Sequence, residues 1–124
     1  MPRYKYLKSG ELSEESMHKT VIEWVTLQPL IARLVMHFPN EGKRSPRYGK
    51  LLKDLGMRPG VADLFIAMGK HDCLGAWIEL KTSKGVVSPE QKAFLSAMEQ
   101  QGYFTTVCRS IEDTIDTIKW YCWS

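Results

Sequence analysis

The chain has 124 residues, 44% of them apolar and 25% charged. That is enough for one domain with a closed hydrophobic core, too little for two, and too apolar for a disordered chain. The formal charge is only +3, no run approaches the apolar length of a membrane span, and the N-terminus lacks the apolar stretch of a signal peptide. Cys73, Cys108 and Cys122 are odd in number and show no C-x-x-C spacing, which argues against a disulfide scaffold or zinc site and for a reducing, cytoplasmic setting.

Residues 1–12 are polar and basic and read as a flexible arm, leaving residues 13–124 as the domain. Ser13 followed by Glu14 and Glu15 marks a helix start, where acidic side chains complement the helix dipole. Met17, Val21, Trp24 and Val25 then recur at helical spacing, and the helix ends before Pro29. Glu14 and His18 fall on one side of it. An acidic residue so placed commonly does no more than cap, and a single histidine with no evident partner is a poor metal signal.

Residues 32–38 are expected to form a strand. The Gly- and Pro-rich piece after it holds a short helix over residues 48–55, ended by Gly56. This piece carries Lys43, Arg44, Arg47, Lys50, Lys53 and Arg58, just ahead of an acidic residue, Asp63. With Asn40 and Lys84 these are the expected contacts to a polyanion backbone, although a solvated loop would carry the same charges. Asn40 would serve equally as a turn residue.

VADLFIAM and AWIELKT read as two strands joined by the short turn GKHDCLG, an antiparallel hairpin. Pairing of that kind brings Asp63, at the start of one strand, beside Glu79, near the end of the next. His71 and Asp72 go to the opposite end. Strand alternation points Glu79 and Lys81 the same way and turns Leu80 into the layer behind. Ser88, Pro89 and Gln91 form a helix start with a capping box, and Phe94, Leu95 and Met98 are expected to face inward. YFTTVCRS comes next as a strand, parallel to AWIELKT through a crossover helix. Ile111, Ile115, Ile118 and Tyr121 or Cys122 define a covering helix. Trp120 and Trp123 lie partly off its stripe and would meet either the N-terminal arm or a second subunit. The predicted fold is α/β, a small mixed sheet flanked by helices in the order α-β-(short α)-β-β-α-β-α.

An E-x-K triplet on a strand is commonly a surface ion pair. Two carboxylates and a lysine at one end of one hairpin, below a basic loop, instead suit a hard divalent cation and phosphodiester hydrolysis. In this reading Asp63 and Glu79 hold Mg²⁺ or Mn²⁺, with the backbone carbonyl of Leu80 as a further donor. Lys81 orients water or offsets transition-state charge, and Gln91 bonds to Lys81, the water or a phosphate oxygen.

The ordered set E-x-x-x-H at Glu14, FPNEGKRS at Phe38, RPGVAD at Arg58, WIELKT at Trp77, SPEQ at Ser88 and the strand GYFTTVCRS resembles the VRR-NUC family. This is a branch of the PD-(D/E)xK nucleases, and the chain looks most like its small stand-alone phage and bacterial members. The resemblance runs from Glu14 to about Ile118. It implies a restriction-endonuclease-like core, Asp63, Glu79 and Lys81 as the catalytic triad, Glu14 as a further metal-site acid with Glu15 as its fallback, and Gln91 as the glutamine after the lysine. It also implies metal-dependent cleavage of branched or flapped DNA by a homodimer. Two positions depart from the family pattern: His18 stands where glutamine is usual, and Ala62 where proline precedes the aspartate. His18 keeps hydrogen-bonding capacity but can also carry a proton. The competing readings are a noncatalytic DNA-binding module and a nuclease acting on RNA or on DNA ends.

Overall fold

The computed structural model describes residues 13–38 and 46–124; three of its helices start under a serine cap, and the first and last are seated by an apolar stripe. Helix α1 (Glu14–Thr26) begins where the Ser13 hydroxyl accepts from the Ser16 amide, and it buries Met17, Val21 and Val25. Helix α2 is Pro46–Asp54. Helix α3 (Pro89–Gln100) carries the full capping box between Ser88 and Gln91. Helix α4 (Ile111–Trp123) starts under the Ser110 hydroxyl and buries Ile111, Ile115, Ile118, Tyr121 and Cys122.

Four strands, β1 (Val35–His37), β2 (Leu64–Ile66), β3 (Ala76–Leu80) and β4 (Phe104–Cys108), form one sheet in the order β1-β2-β3-β4. The first two pairings are antiparallel, and β3 pairs β4 in parallel through the α3 crossover. Element order and strand directions match the predicted α/β arrangement. On one sheet face Val35, Leu64, Ile66, Ala76, Ile78 and Leu80 pack with the stripes of α1 and α4 into the core. On the other, Trp77 meets Phe65 at 4.5 Å, Phe94 of α3 at 4.9 Å and Phe38 at 5.7 Å between ring centroids.

Two expectations change. The strand predicted over residues 32–38 begins only at Val35, because the chain after Pro29 keeps turning. The amides of Ile31 and Ala32 reach the Gln28 carbonyl, and those of Leu34 and Val35 reach the Ile31 carbonyl. These turns seat Ile31, which is fully buried, under the core. On α3, Phe94, Leu95 and Met98 are only half-buried, and Gln91 is the buried residue of that helix. Within the described residues, Trp123 (44% exposed) lies edge-on to Trp24, and Trp120 (43% exposed) stacks on His71 at 4.2 Å; the arm expected to meet them lies outside the described residues.

The β2–β3 hairpin contains an irregularity. Its tip is the Lys70–Cys73 bridge, turned by His71 and Asp72, both at positive φ (53° and 60°). Between that bridge and the Ile66–Ala76 pair, residues 67–69 on one strand span what residues 74 and 75 span on the other, which is a β-bulge. Tyr121 braces this region by donating its hydroxyl to the Met68 carbonyl at 2.7 Å. Among the described residues no helix is long and apolar enough to cross a membrane.

Candidate metal centre

Asp63 immediately precedes β2, and the Leu64–Ile78 pairing carries it to the same sheet end as Glu79. The hairpin thus does what its sequence implied. Asp63 is fully buried, and its Oδ2 accepts from the Leu80 amide at 2.8 Å. A charged acceptor on a backbone donor makes a strong, rigid contact. The other oxygen, Oδ1, is buried with no hydrogen-bond partner among the described residues.

Helix α1 supplies the second part of the centre. Glu14 stands in its first turn and His18 one turn further on, so both side chains reach toward Asp63. One donor atom from each of Glu14, His18 and Asp63 can be chosen so that all lie within 4.8 Å of one another. The His18 Nε2 is 3.4 Å from Asp63 Oδ2. Its Nδ1 lies 2.6 Å from His37 Nε2 on β1. Burial holds the His37 pKa below its ordinary value, with His18 adding to the effect and Asp63 opposing it.

The third part lies on β3 and α3. Glu79 is fully buried; its Oε2 accepts from Gln91 Nε2 at 2.9 Å and stands 3.6 Å from Lys81 Nζ. Lys81 is itself only 6% exposed. Gln91 is held at both ends, since its Oε1 accepts from the Ser88 amide at 2.8 Å. The capping-box glutamine therefore ties the start of α3 to the strand carboxylate. Arg109 fixes the intervening loop by donating to the carbonyls of Thr82 and Gly85. Gly60 (φ +87°) closes the other side: a Cβ there would lie 2.6 Å from the Glu90 carbonyl oxygen, so the RPGVAD loop and the start of α3 touch backbone to backbone.

Burying carboxylates costs several kcal/mol each, roughly, unless charge and hydrogen bonds compensate. Here one ammonium stands beside Glu79, and two carboxylates and an imidazole bring donor atoms within 4.8 Å of one another, with one Asp63 oxygen lacking a hydrogen-bond partner among the described residues. That donor set fits a divalent cation.

Of the other predicted residues, Glu15 does not join. It points to solvent and pairs with Lys19, so the register of α1 selects Glu14. Arg47, Lys50, Lys53, Arg58 and Lys84 are exposed, with Lys50 paired to Asp54 on α2. Asn40, Lys43 and Arg44 lie outside the described residues, as does the arm over residues 1–12. His71 and Asp72 sit at the far hairpin end, where His71 contacts the carbonyls of Trp120 and Tyr121. Sequence reasoning missed His37, whose approach to His18 depends on a strand register invisible in the sequence. It also missed Arg109, which acts on a loop 24 to 27 residues earlier.

A four-stranded mixed sheet with an acid before β2, an E-x-K on β3, and helices delivering a glutamate and a glutamine defines a PD-(D/E)xK nuclease. The family model of the VRR-NUC domain matches residues 12–112. The chain belongs to the VRR-NUC family. It is similar to a solved structure titled "VRR_NUC domain protein", with a TM-score of 0.75 and 26% identity over 94% of this chain and 91% of that one. No curated protein matches it. Family and site together make the chain a metal-dependent nuclease.

Proposed function

We propose that the chain is a Mg²⁺- or Mn²⁺-dependent DNA endonuclease that acts on branched or otherwise structured DNA, as a homodimer in the cytoplasm of a bacterial or phage-infected cell. The observation that carries the nuclease chemistry is the convergence of Asp63, buried with one carboxylate oxygen lacking a hydrogen-bond partner among the described residues, with Glu14 and His18 within 4.8 Å, alongside the Glu79–Lys81–Gln91 set. Asp63, Glu79, Glu14 and the Leu80 carbonyl are the residues that would hold the ion. When bound, it supplies Lewis acidity toward a phosphoryl oxygen and water.

The chain's own groups do the rest. The Leu80 amide keeps Asp63 in one orientation, and Gln91 does the same for Glu79. Because both Gln91 ends are engaged, it acts by positioning Glu79 rather than by touching phosphate. Lys81, held beside Glu79, places its ammonium to orient the attacking water and to offset charge on the pentacovalent phosphorus. The water oxygen forms the new P–O bond and gives up one proton to solvent, while the bond to the leaving sugar oxygen breaks and that oxygen takes up a proton from solvent, so that one water is consumed.

Exposed Arg47, Lys53, Arg58 and Lys84 support backbone contacts to DNA. The dimer is supported by exposed apolar surface: Leu27 (76%) and Leu30 (77%) lie just beyond the Trp24–Trp123 pair in the chain. The preference for branched DNA rests on the family resemblance. Three free cysteines support a reducing compartment.

One cleavage panel tests the reading, comparing linear duplex, flap, three-way and four-way DNA and matched RNA, with and without Mg²⁺ or Mn²⁺. Internal cuts in branched DNA that need metal and vanish in Asp63→Asn are expected. Metal-dependent cutting of RNA or of ends alone would move the substrate, and no cutting with retained DNA binding would leave only a binding module. A single monomer mass at micromolar concentration would refute the dimer.

A further inference from the structure

The pair His18–His37 is absorbed by neither the strand carboxylates nor the lysine. His18 is buried, one ring nitrogen faces Glu14 and Asp63, and the other lies 2.6 Å from His37 Nε2, at the distance of a short hydrogen bond. The two rings meet edge to face at 4.8 Å, so the contact fixes orientation as well as distance. His18 Nε2 is itself buried and makes no hydrogen bond among the described residues. An imidazole whose Nδ1–H is given to a neighbour presents an Nε2 lone pair in a fixed direction, and that is how a protein prepares a histidine metal ligand.

We infer that His18 Nε2 is a direct metal ligand alongside Glu14 and Asp63, and that His37 is a positioning residue that accepts the His18 Nδ1 proton and so keeps Nε2 free to bind. The consequence is a mixed nitrogen–oxygen centre that favours a first-row transition ion, probed as Mn²⁺, over Mg²⁺. Oxygen-only sets hold Mg²⁺, which gives up water reluctantly, whereas an imidazole nitrogen adds affinity for transition ions. The opposite arrangement, with His37 donating, would put the proton on His18 Nε2. It would then face Asp63 Oδ2 at 3.4 Å, too long for a good charge-assisted bond. This role for His18 rests on the metal-dependent reading above and gives the departure from glutamine at position 18 a chemical purpose.

The test is spectroscopic and needs no turnover. Mn²⁺ binding to the DNA-free, full-length protein is measured by titration calorimetry, with Mg²⁺ in parallel, and the Mn²⁺ complex is examined by electron spin echo modulation. Modulation by ¹⁴N of a directly bound imidazole is expected in the wild type, and its loss in His18→Gln. Mn²⁺ affinity relative to Mg²⁺ should also fall by more than about tenfold in that variant. His37→Phe removes the acceptor and should weaken Mn²⁺ binding by about 10- to 100-fold, while His37→Gln, whose carbonyl can accept the same proton, should restore most of it. If Mn²⁺ binds, is lost in Asp63→Asn, and shows no ¹⁴N modulation, the inference is overturned and the nuclease reading stands. If the wild type binds no Mn²⁺ or Mg²⁺, both are overturned. Unchanged affinity in His37→Phe removes the role given to His37. The wild-type spectrum decides the ligand question even if a variant fails to fold.

Discussion

Replacing Gly60 with alanine should separate two costs that usually arrive together. Gly60 has φ +87°, where an L-residue pays about 1–2 kcal/mol of backbone strain. Its Cβ would also lie 2.6 Å and 2.7 Å from the carbonyl oxygen and carbon of Glu90, atoms of the α3 backbone that cannot rotate aside. Relieving that overlap adds a further cost, about 1–3 kcal/mol by analogy with overpacked cores. Gly56 provides the control: its φ is +100°, yet nothing lies within 4 Å of its would-be Cβ. Gly56→Ala should therefore lose about 1–2 kcal/mol and Gly60→Ala about 2–5 kcal/mol, read as midpoint shifts at constant slope in urea unfolding of the metal-free protein. The two should also differ in metal affinity. Shifting the RPGVAD loop away from α3 moves Asp63 relative to the Gln91–Glu79 contact, whereas Gly56 lies before that loop. Equal destabilisation of the two variants would refute the claim that the Gly60–Glu90 approach is rigid.

Asp63→Asn should leave the metal-free protein at least as stable as wild type, because an amide oxygen can still accept from the Leu80 amide and a buried charge is gone. Wild type should gain about 2.7 kcal/mol at a metal concentration of 100 Kd, a gain the variant should lack in a thermal-shift titration; a variant stabilised as much as wild type would contradict the site. The metal-free protein should lose stability as pH falls below about 6.5. The depressed pKa of His37 means that the unfolded chain takes up its proton first, so the native state is favoured above the unfolded value and disfavoured through the window down to the folded one. His37→Gln should flatten that slope in urea unfolding at pH 5.5 and 7.5, and an equal slope would assign the effect elsewhere. Of the three free thiols, Cys108 and Cys122 are buried and Cys73 is half-buried, and burial raises the Cys108 pKa to about 11. One thiol should react quickly with an aromatic disulfide at pH 8 before unfolding and three after, and rapid labelling at Cys108 in the native protein would argue against this packing.

Features set by residue period and turn length were the most legible in the sequence. The alternation of AWIELKT put Glu79 opposite Leu80 in orientation, and the short GKHDCLG connection put Asp63 and Glu79 at one end; the strand pairing agrees on both points. The capping box at Ser88 and Gln91 was equally legible, because it needs only a serine and a glutamine three residues apart. Features set by packing between distant segments escaped. Residues 32–34 read as the start of a strand because they run straight into the apolar residues of β1, and the turns that hold them depend on bonds back to Gln28 and Ile31 that composition does not reveal. Phe94, Leu95 and Met98 read as core, yet that face of the sheet is already filled by Phe65 and Trp77, and α3 covers it only in part. His18 read as an isolated histidine because its partner is 19 residues away on an edge strand.

The bulge at residues 67–69 bears on how the site is encoded. Carried straight down the hairpin, the register of the Lys70–Cys73 bridge would set Leu64 opposite Glu79 and Asp63 opposite Leu80. The surplus residue absorbs that one-step offset, so that Leu64 meets Ile78 instead. Tip and site therefore keep separate registers: α4 holds the first through Tyr121 and Met68, and the buried row of Leu64, Ile66, Ala76 and Ile78 holds the second. A slip of β2 by one residue would turn that row toward the opposite face, at the cost of most of its burial. The spacing of the carboxylates is thus chosen by the apolar side chains behind them and not by the turn that joins their strands. Mutations in the core, far from any reacting atom, can in this way act on chemistry through alignment.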